Sequence, residues 1–500
     1  VEGRLVAKHS ARLYPPMPLL NGFCFLIRRQ LIDEIGIFDE ESFGAGYGEE
    51  DDYTLRARSA GWSLALADDV YVYHAQSRSY SDEKRKALCD RAGAILAQKH
   101  GRKIIDESVA QCLSDRVLEG IRGRSRAMLA RREWVMKGRA AYAGRRVLFV
   151  LPIAQAGGGG NVVIDEALAM REMGVEVEIF NLLAYRTGFE LAYPDLRLPV
   201  TYGEAEDLVA LAGQYDAVIA THNASVAWLS SLRPRDGRPV RGYYVQGFEP
   251  YMYPPDSEDF GRALASYSLF DDLVRFTKTE WTRQEVQEHA GVDSSVIGIS
   301  LNTDLFRPRP SSEPAWPALT LRVAAMVRPD SPYREPRLTM QLLRRMTRHY
   351  GRDVEAVIFG TTTDAPEFAS LSRGFACTLA GVLNQKQVAS LMNEVDVFVD
   401  FSSHQAMGLT ALEAMACGAA VIVPSRGGAT SFARDGHNAL VVDTSSPDAC
   451  WQALRRLVED QALRSLLQRN ALTDVCDFYP ERPAFHILSA LFGDRALSSE

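Results

Sequence analysis

Apolar and polar residues change their rhythm near residue 145. Beyond it, short apolar runs alternate with longer stretches of helical period. "RVLFV" at 146–150 is an unbroken apolar run, "NVVIDEALAMREMG" at 161–174 repeats apolar residues every three or four positions, and "VEVEIF" at 175–180 alternates. The first pattern suits a strand covered on both faces, the second a helix with one buried stripe, the third a strand covered on one face. The four glycines at 157–160 read as the turn between strand and helix, and Gly174 as the helix stop. The grammar returns after residue 318: strand "LRVAAMV", helix "RLTMQLLRRMTRHYG", strand "VEAVIFG", helix "QKQVASLMNEV", strand "DVFVDFSS", helix "LTALEAMACG", strand "AAVIVPS". In the first of these helices Leu338, Leu342, Leu343 and Met346 form one stripe. Such alternation builds parallel sheets covered by helices. Two series in one chain predict an α/β protein with two Rossmann-like domains facing a cleft.

Upstream the texture differs. Residues 1–100 read as short apolar strands, "VYVYH" at 70–74 among them, with one helix. Residues 101–143 are helical in pattern and Arg-rich toward their end, as a linker. The expected divisions are 1–100, a linker over 101–143, domains over 144–305 and 306–475, and a tail over 476–500. The start at Val1, with no initiator Met, reads as a piece of a longer chain.

Composition narrows the function classes. At 500 residues the chain exceeds what one hydrophobic core organises. A formal net charge of −8 without a sustained Lys/Arg block excludes a nucleic-acid partner held by phosphate contacts. The Arg-rich linker leaves a peripheral membrane contact open. No apolar run is long enough to cross a bilayer and the start lacks a signal-peptide core, so the expected location is cytoplasmic, including the inner face of the plasma membrane. The seven cysteines lack CxxC or metal-ligand spacing, and Cys24, Cys377 and Cys417 read as small buried hydrophobes.

The chemistry concentrates in "HQAMGLTALEAMACG", 404–418. Open α/β sheets bind ligands beyond the carboxyl ends of their strands, and the strand at 395–401 runs straight into this stretch. Gly408 opens a helix whose free N–H groups, around Met407, Gly408 and Leu409, attract an anion. Glu413 follows about one turn later, placed to accept a pair of sugar hydroxyls. A diphosphate and a ribose together describe a nucleotide.

The same stretch resembles the Glu-x7-Glu element of retaining GT-B glycosyltransferases of family 4. That resemblance implies that Glu413 holds the nucleotide ribose, the turn at Gly408 the diphosphate, and position 405 the donor sugar. Gln405 stands there in place of the family's Glu, keeping length and amide but losing charge. "MVRPDSPYREP" resembles the family's donor-phosphate cation pair, with Arg328 and Arg334 as the cations. Two cations opposite a helix N-terminus would neutralise a leaving diphosphate. The run containing Gly158 and Gly159 matches the Gly-rich loop near the donor phosphates. His222 in "THNAS" falls at an acceptor-side, catalytic position. "YYVQGFEPYMYPPDSE" at 243–258, with Glu249 on the acceptor side, is similar to the WsaF-like rhamnosyltransferase branch.

The resemblance implies a hexosyltransferase that moves a sugar, L-rhamnose from dTDP-L-rhamnose on the branch likeness, to a glycan or lipid-linked glycan acceptor of a cell-surface polysaccharide. No side chain presents itself as a covalent nucleophile, so front-face transfer with retention is implied, without a bound metal in the GT-B part. Residues 21–79 are similar to the acceptor half of a family 2, GT-A glycosyltransferase. By that match Glu50 is a catalytic base and His74 a metal ligand. A divalent metal, Mg or Mn, belongs only to an intact GT-A parent, whose nucleotide-binding half is absent from this sequence. Three other readings stay open: a non-catalytic polysaccharide-binding or scaffold module, a nucleotide-sugar epimerase using Glu249 and His222, and a nicotinamide oxidoreductase. The last lacks G-x-G-x-x-G and a ribose carboxylate after 175–183.

Overall fold

Unbroken apolar runs become central strands of parallel sheets. The computed structural model describes residues 2–44, 46–74, 81–232, 239–310, 320–371 and 374–493. The chain divides into two compact units, Val1–Met128 with Pro308–Ala315 and Leu129–Arg307 with Trp316–Glu500.

The second unit holds both sheets. The first comprises β1 (Arg146–Val150), β2 (Glu176–Leu182), β3 (Val200–Gly203), β4 (Ala217–Ala220), β5 (Val240–Val245), β6 (Val274–Thr277) and β7 (Ser295–Val296). Its order is β3-β2-β1-β4-β5-β6-β7. β1 lies in the middle, Val147 pairing in parallel with Val177 on one side and Ala217 on the other. Helices cover both its faces, and Val147 to Val150 are buried. The second sheet comprises β8 (Leu321–Met326), β9 (Val354–Phe359), β10 (Thr378–Gly381), β11 (Val397–Val399), β12 (Ala420–Pro424) and β13 (Leu440–Val442), in the order β10-β9-β8-β11-β12-β13. Its ladders are parallel as well. Helix Pro336–Tyr350 buries Met340, Leu342, Leu343 and Met346 against this sheet, while Leu338 is only partly covered. These are two Rossmann-like domains, and the order reversal beside β1 and beside β8 puts a ligand crevice at each switch point.

Three parts differ from the sequence reading. The run Gly158–Gly160 is the first turn of helix Gly158–Glu172, with extended Gly157 as its cap, so the turn lies before the glycines. Residues assigned to the tail form helix Glu481–Phe492, which returns to the first sheet: Leu491 packs on Gly242, and His486 Nδ1 is 2.9 Å from Ile297 O. Its apolar residues recur at helical spacing, so it buries Phe485, Ile487, Leu488 and Leu491. Residues 101–143 form helices Arg102–Ser114 and Arg116–Tyr142, and the second contributes to both units.

Helices dominate the first unit. Between residues 2 and 128 the described residues contain an isolated bridge, Pro16 to Ala65, and no strand. Val70, Tyr71, Val72 and Tyr73 are all exposed, and among the described residues no segment offers their backbone a ladder. Two small cores form, one around Leu31, Tyr53 and Ala57, the other around Phe43, Ala92 and Leu96. Cys24 and Cys377 are exposed rather than buried, whereas Cys417 is buried. Among the described residues no helix is long and apolar enough to cross a membrane.

Candidate functional site

Two cavities run together at the carboxyl ends of the strands in the second unit. They share Gly157, Gly158, Gly159, Gln246, Arg334 and Gln405.

The first is built from two helix N-termini. Helix Gly158–Glu172 starts on one domain and helix Leu409–Cys417 on the other. A Cβ on Gly158 would lie 3.3 Å from Leu409 Cδ2, so the lack of a side chain lets the two helix starts approach. Gly408 has φ +83°, a left-handed conformation that favours glycine. Unpaired N–H groups and the positive ends of both helices therefore meet one cavity, which favours an anion. Arg328 and Arg334 line it as well. Burial and the charge of Arg334 both press the Arg328 guanidinium toward losing its proton, and Asp330 opposes them only in part. Two cations so placed call for an external anion with several oxygens.

Glu413 lies in the same cavity, one turn into its helix. It is buried and accepts no hydrogen bond from the described residues. Burial pushes its carboxyl up to about 8, with a smaller contribution from the charge of Asp165. Asp165, raised to about 7 by burial, takes a hydrogen bond from Asn302 Nδ2 at 2.9 Å. An unsatisfied buried carboxyl is a strong acceptor waiting for donors such as a vicinal diol. Gln405, by contrast, is engaged: its Nε2 donates to Asp400 Oδ2 and Ser402 Oγ, both at 2.9 Å. The cavity thus gathers Gly158, Gly159, Arg328, Arg334, Gln405, Met407, Gly408, Leu409 and Glu413.

Several lining residues carry no motif that sequence reading used. Lys278, just beyond β6, is buried against Glu166, and Ser300 Oγ takes its second bond at 2.7 Å. Tyr244 OH donates to the other Glu166 oxygen at 2.7 Å. Desolvation lowers the Lys278 pKa against the pull of Glu166. The signal was Asp165-Glu166 interrupting an apolar helix stripe, a break that needs a buried partner.

The second cavity is lined by His222, Phe248, Glu249, Tyr251, Trp281, Tyr333 and His404. His222 caps helix Asn223–Trp228, its Nδ1 accepting from Ala224 N at 3.3 Å. That bond leaves the proton on Nε2, which lies 3.8 Å from Glu249 Oε2. The ring is partly exposed to the cavity. Glu249, expected on the acceptor side, lines this cavity with its carboxylate already engaged. It is buried, and its carboxylate already accepts from Asn223 N and Nδ2 at 2.7 Å and from Tyr243 OH at 2.8 Å. Burial raises its pKa while these donors and His222 oppose the rise. Its carboxylate ties down the helix start at Asn223 while it remains in the cavity lining. His404 stacks on Tyr333, ring centroids 5.2 Å apart, with Tyr251 and Trp281 at 5.3 and 5.7 Å.

Glu50 and His74 belong to the first unit. Glu50 sits in the first turn of helix Glu49–Ser59, its Oε2 accepting from Gly48 N at 3.1 Å and its Cβ packed on Gly22. Neighbouring Asp51 is raised to about 6 by burial and by the charges of Glu50 and Glu49. His74 stacks on Phe23, with centroids 4.9 Å apart. Among the described residues no group of three His, Cys, Asp or Glu side chains is arranged to hold a metal ion.

Residues 318–474 match the family model described as Glycosyl transferases group 1. The O-antigen biosynthesis protein RfbC of Myxococcus xanthus is 28% identical over 269 residues, which are 53% of this chain and 20% of that protein. The lipopolysaccharide core biosynthesis glycosyltransferase LpsE of Rhizobium meliloti is 36% identical over 83 residues, 17% of this chain and 24% of that protein. The chain thus spans only about a fifth of RfbC and a quarter of LpsE. Among solved structures, Anabaena Alr3699/HepE in complex with UDP and glucose superposes with a TM-score of 0.57 at 17% identity, over 69% of this chain and 99% of that one. TarM gives 0.58 at 9% identity over 70% and 99%. These likenesses establish the GT-B fold of the second unit.

Proposed function

We propose, from the group 1 glycosyltransferase domain at residues 318–474 as premise, that this chain transfers a sugar from a nucleotide diphosphate to a glycan acceptor in polysaccharide biosynthesis. The observation that carries the reading is Glu413, a buried carboxyl without a donor, in one cavity with two helix N-termini and an arginine pair. Glu413 holds the ribose hydroxyls. Arg328, Arg334 and the amides at Gly408 and Leu409 stabilise the charge that grows on the departing diphosphate. Domain closure excludes water and so limits hydrolysis.

The second cavity supports a glycan acceptor, because a partly exposed aromatic cluster suits the apolar face of a pyranose. His222, a partly exposed member of that lining, contacts the acceptor in this reading. The finer reading is L-rhamnose from dTDP-L-rhamnose, delivered with retention of configuration. Its support is the sequence likeness at 243–258 and the likeness of 404–418 to an element of a retaining family. The acceptor as O-antigen or lipopolysaccharide core glycan rests on the names of RfbC and LpsE.

The test is a thermal-shift screen of the chain against UDP, GDP, dTDP and their sugars, followed by product stereochemistry with the donor that binds. A ligand that binds only the folded state raises the melting temperature, by about 2.7 kcal/mol of stabilisation at a hundredfold excess over Kd. No shift with any nucleotide sugar, together with a shift from glycan alone, would instead identify a glycan-binding module. A changed sugar with no transfer would identify an epimerase.

A further inference from the structure

Asp400 follows β11 directly and lines the donor cavity. Its Oδ1 accepts from Ser402 N at 3.1 Å and from Ser402 Oγ. Its Oδ2 accepts from Gln405 Nε2 at 2.9 Å, and the same Nε2 donates to Ser402 Oγ at 2.9 Å. A carboxylate only accepts, so the amide nitrogen of Gln405 must be the atom facing Asp400, and both its N–H bonds are used. Gln405 Oε1 accepts from none of the described residues, on a side chain that lines both cavities. The backbone around it is pinned as well: Gln405 O receives Gly428 N at 2.7 Å, Ala406 O receives Thr279 Oγ1 at 3.1 Å, and Ser402 O receives Thr444 Oγ1 at 2.8 Å. A carboxylate at position 405 would meet Asp400 at hydrogen-bond distance with like charge, so an amide is what this ring accommodates.

We propose that Asp400 is a positioning residue that locks the Gln405 amide in one orientation, so that its carbonyl oxygen receives a hydroxyl of the transferred sugar. This rests on the donor reading above. A locked acceptor discriminates against sugars lacking that hydroxyl, whereas an amide free to turn would take a donor or an acceptor equally.

Asp400→Asn provides the test. With Ser402 N fixing the Asn oxygen, the new amide nitrogen faces Gln405, which must turn and present its own nitrogen to the cavity. In Asp400→Asn/Gln405→Glu, the Asn nitrogen donates to the new carboxylate and an acceptor oxygen again faces the cavity. Calorimetry on the full chain with UDP, GDP and dTDP, and with UDP-glucose, GDP-mannose and dTDP-L-rhamnose, separates the nucleotide from its sugar. The expected result is a nucleotide sugar bound about tenfold more weakly by Asp400→Asn, unchanged binding of the corresponding nucleotide diphosphate, and recovery of most of the loss in the double variant. Equal weakening of diphosphate and sugar forms, or no change in either, overturns the proposal. Normal wild-type nucleotide binding in that case leaves the functional reading standing. A wild-type chain that binds no nucleotide overturns both.

Discussion

Glu413→Gln separates what one carboxyl does for binding from what it does to folding. The ordinary glutamate value is 4.5, and in the folded chain burial lifts Glu413 to about 8. Below the lower value the carboxyl is protonated in both states, and its contribution to stability is fully present. Between the two values the unfolded chain releases the proton while the folded chain keeps it, so stability falls as pH rises through this window. At about 1.36 kcal/mol per pH unit, the loss accumulated by pH 7 reaches about 3 kcal/mol as an upper bound. Glutamine stays neutral and escapes this loss.

Melting curves should therefore nearly coincide for wild type and Glu413→Gln at pH 4, with the variant increasingly the more stable toward pH 8. Nucleotide binding should move the other way. Ribose hydroxyls donate to the ionised carboxylate, so losing it should weaken nucleotide-sugar affinity about tenfold to over a hundredfold. Wild-type affinity should rise toward pH 8 as the proton is lost more easily, and the variant should be flat, because a nucleotide sugar's diphosphate diester does not titrate there. A stability difference that ignores pH would refute the burial argument. An unchanged affinity would remove Glu413 from the site.

Arg328→Ala and Arg334→Ala should each weaken a nucleoside diphosphate by about tenfold or more while leaving the nucleoside monophosphate less affected, a contrast that calorimetry reads directly. Equal loss for both ligands would place the arginines away from the terminal phosphate. Lys278→Met leaves Glu166 buried without its cation and should cost about 3–5 kcal/mol, seen as a large fall in melting temperature that Glu166→Gln in the same chain partly restores. His222→Asn keeps a side chain able to cap its helix, so the melting temperature should stay near wild type while glycosyl transfer falls by about tenfold or more. Unchanged transfer would assign His222 to capping alone.

Both parallel sheets were legible because β12 is an unbroken apolar run and β1 and β8 are apolar beyond Arg146 and Arg322, and local pattern decides the matter when a strand is covered on both faces. That Gly408 and Glu413 line one cavity was legible because both belong to one helix start at a strand end. The glycine run misled because glycine signals a turn by backbone freedom, whereas Gly158 is helical and serves the close approach of Leu409. The strands expected before residue 100 failed for another reason: apolar alternation describes a strand's faces but not its partner, and among the described residues Val70 to Tyr73 have no strand partner. Glu249 and Lys278 acquire their roles from residues distant in sequence, Lys278 from a carboxylate 112 positions away. The ring of Asp400, Ser402 and Gln405 spans only six positions, yet it depends on side-chain orientation, which no periodicity encodes.

Helix Glu481–Phe492 gives the first Rossmann domain a delayed completion. Its His486 meets Ile297, 189 positions earlier in the chain, and most of the residues between belong to the second domain. At about 5–20 residues per second, the ribosome needs roughly 10–40 s to supply that interval. Throughout it the first sheet waits with the surface around Gly242 uncovered, and the second domain can fold meanwhile. Helix Glu481–Phe492 then acts as a clasp that closes a domain begun long before.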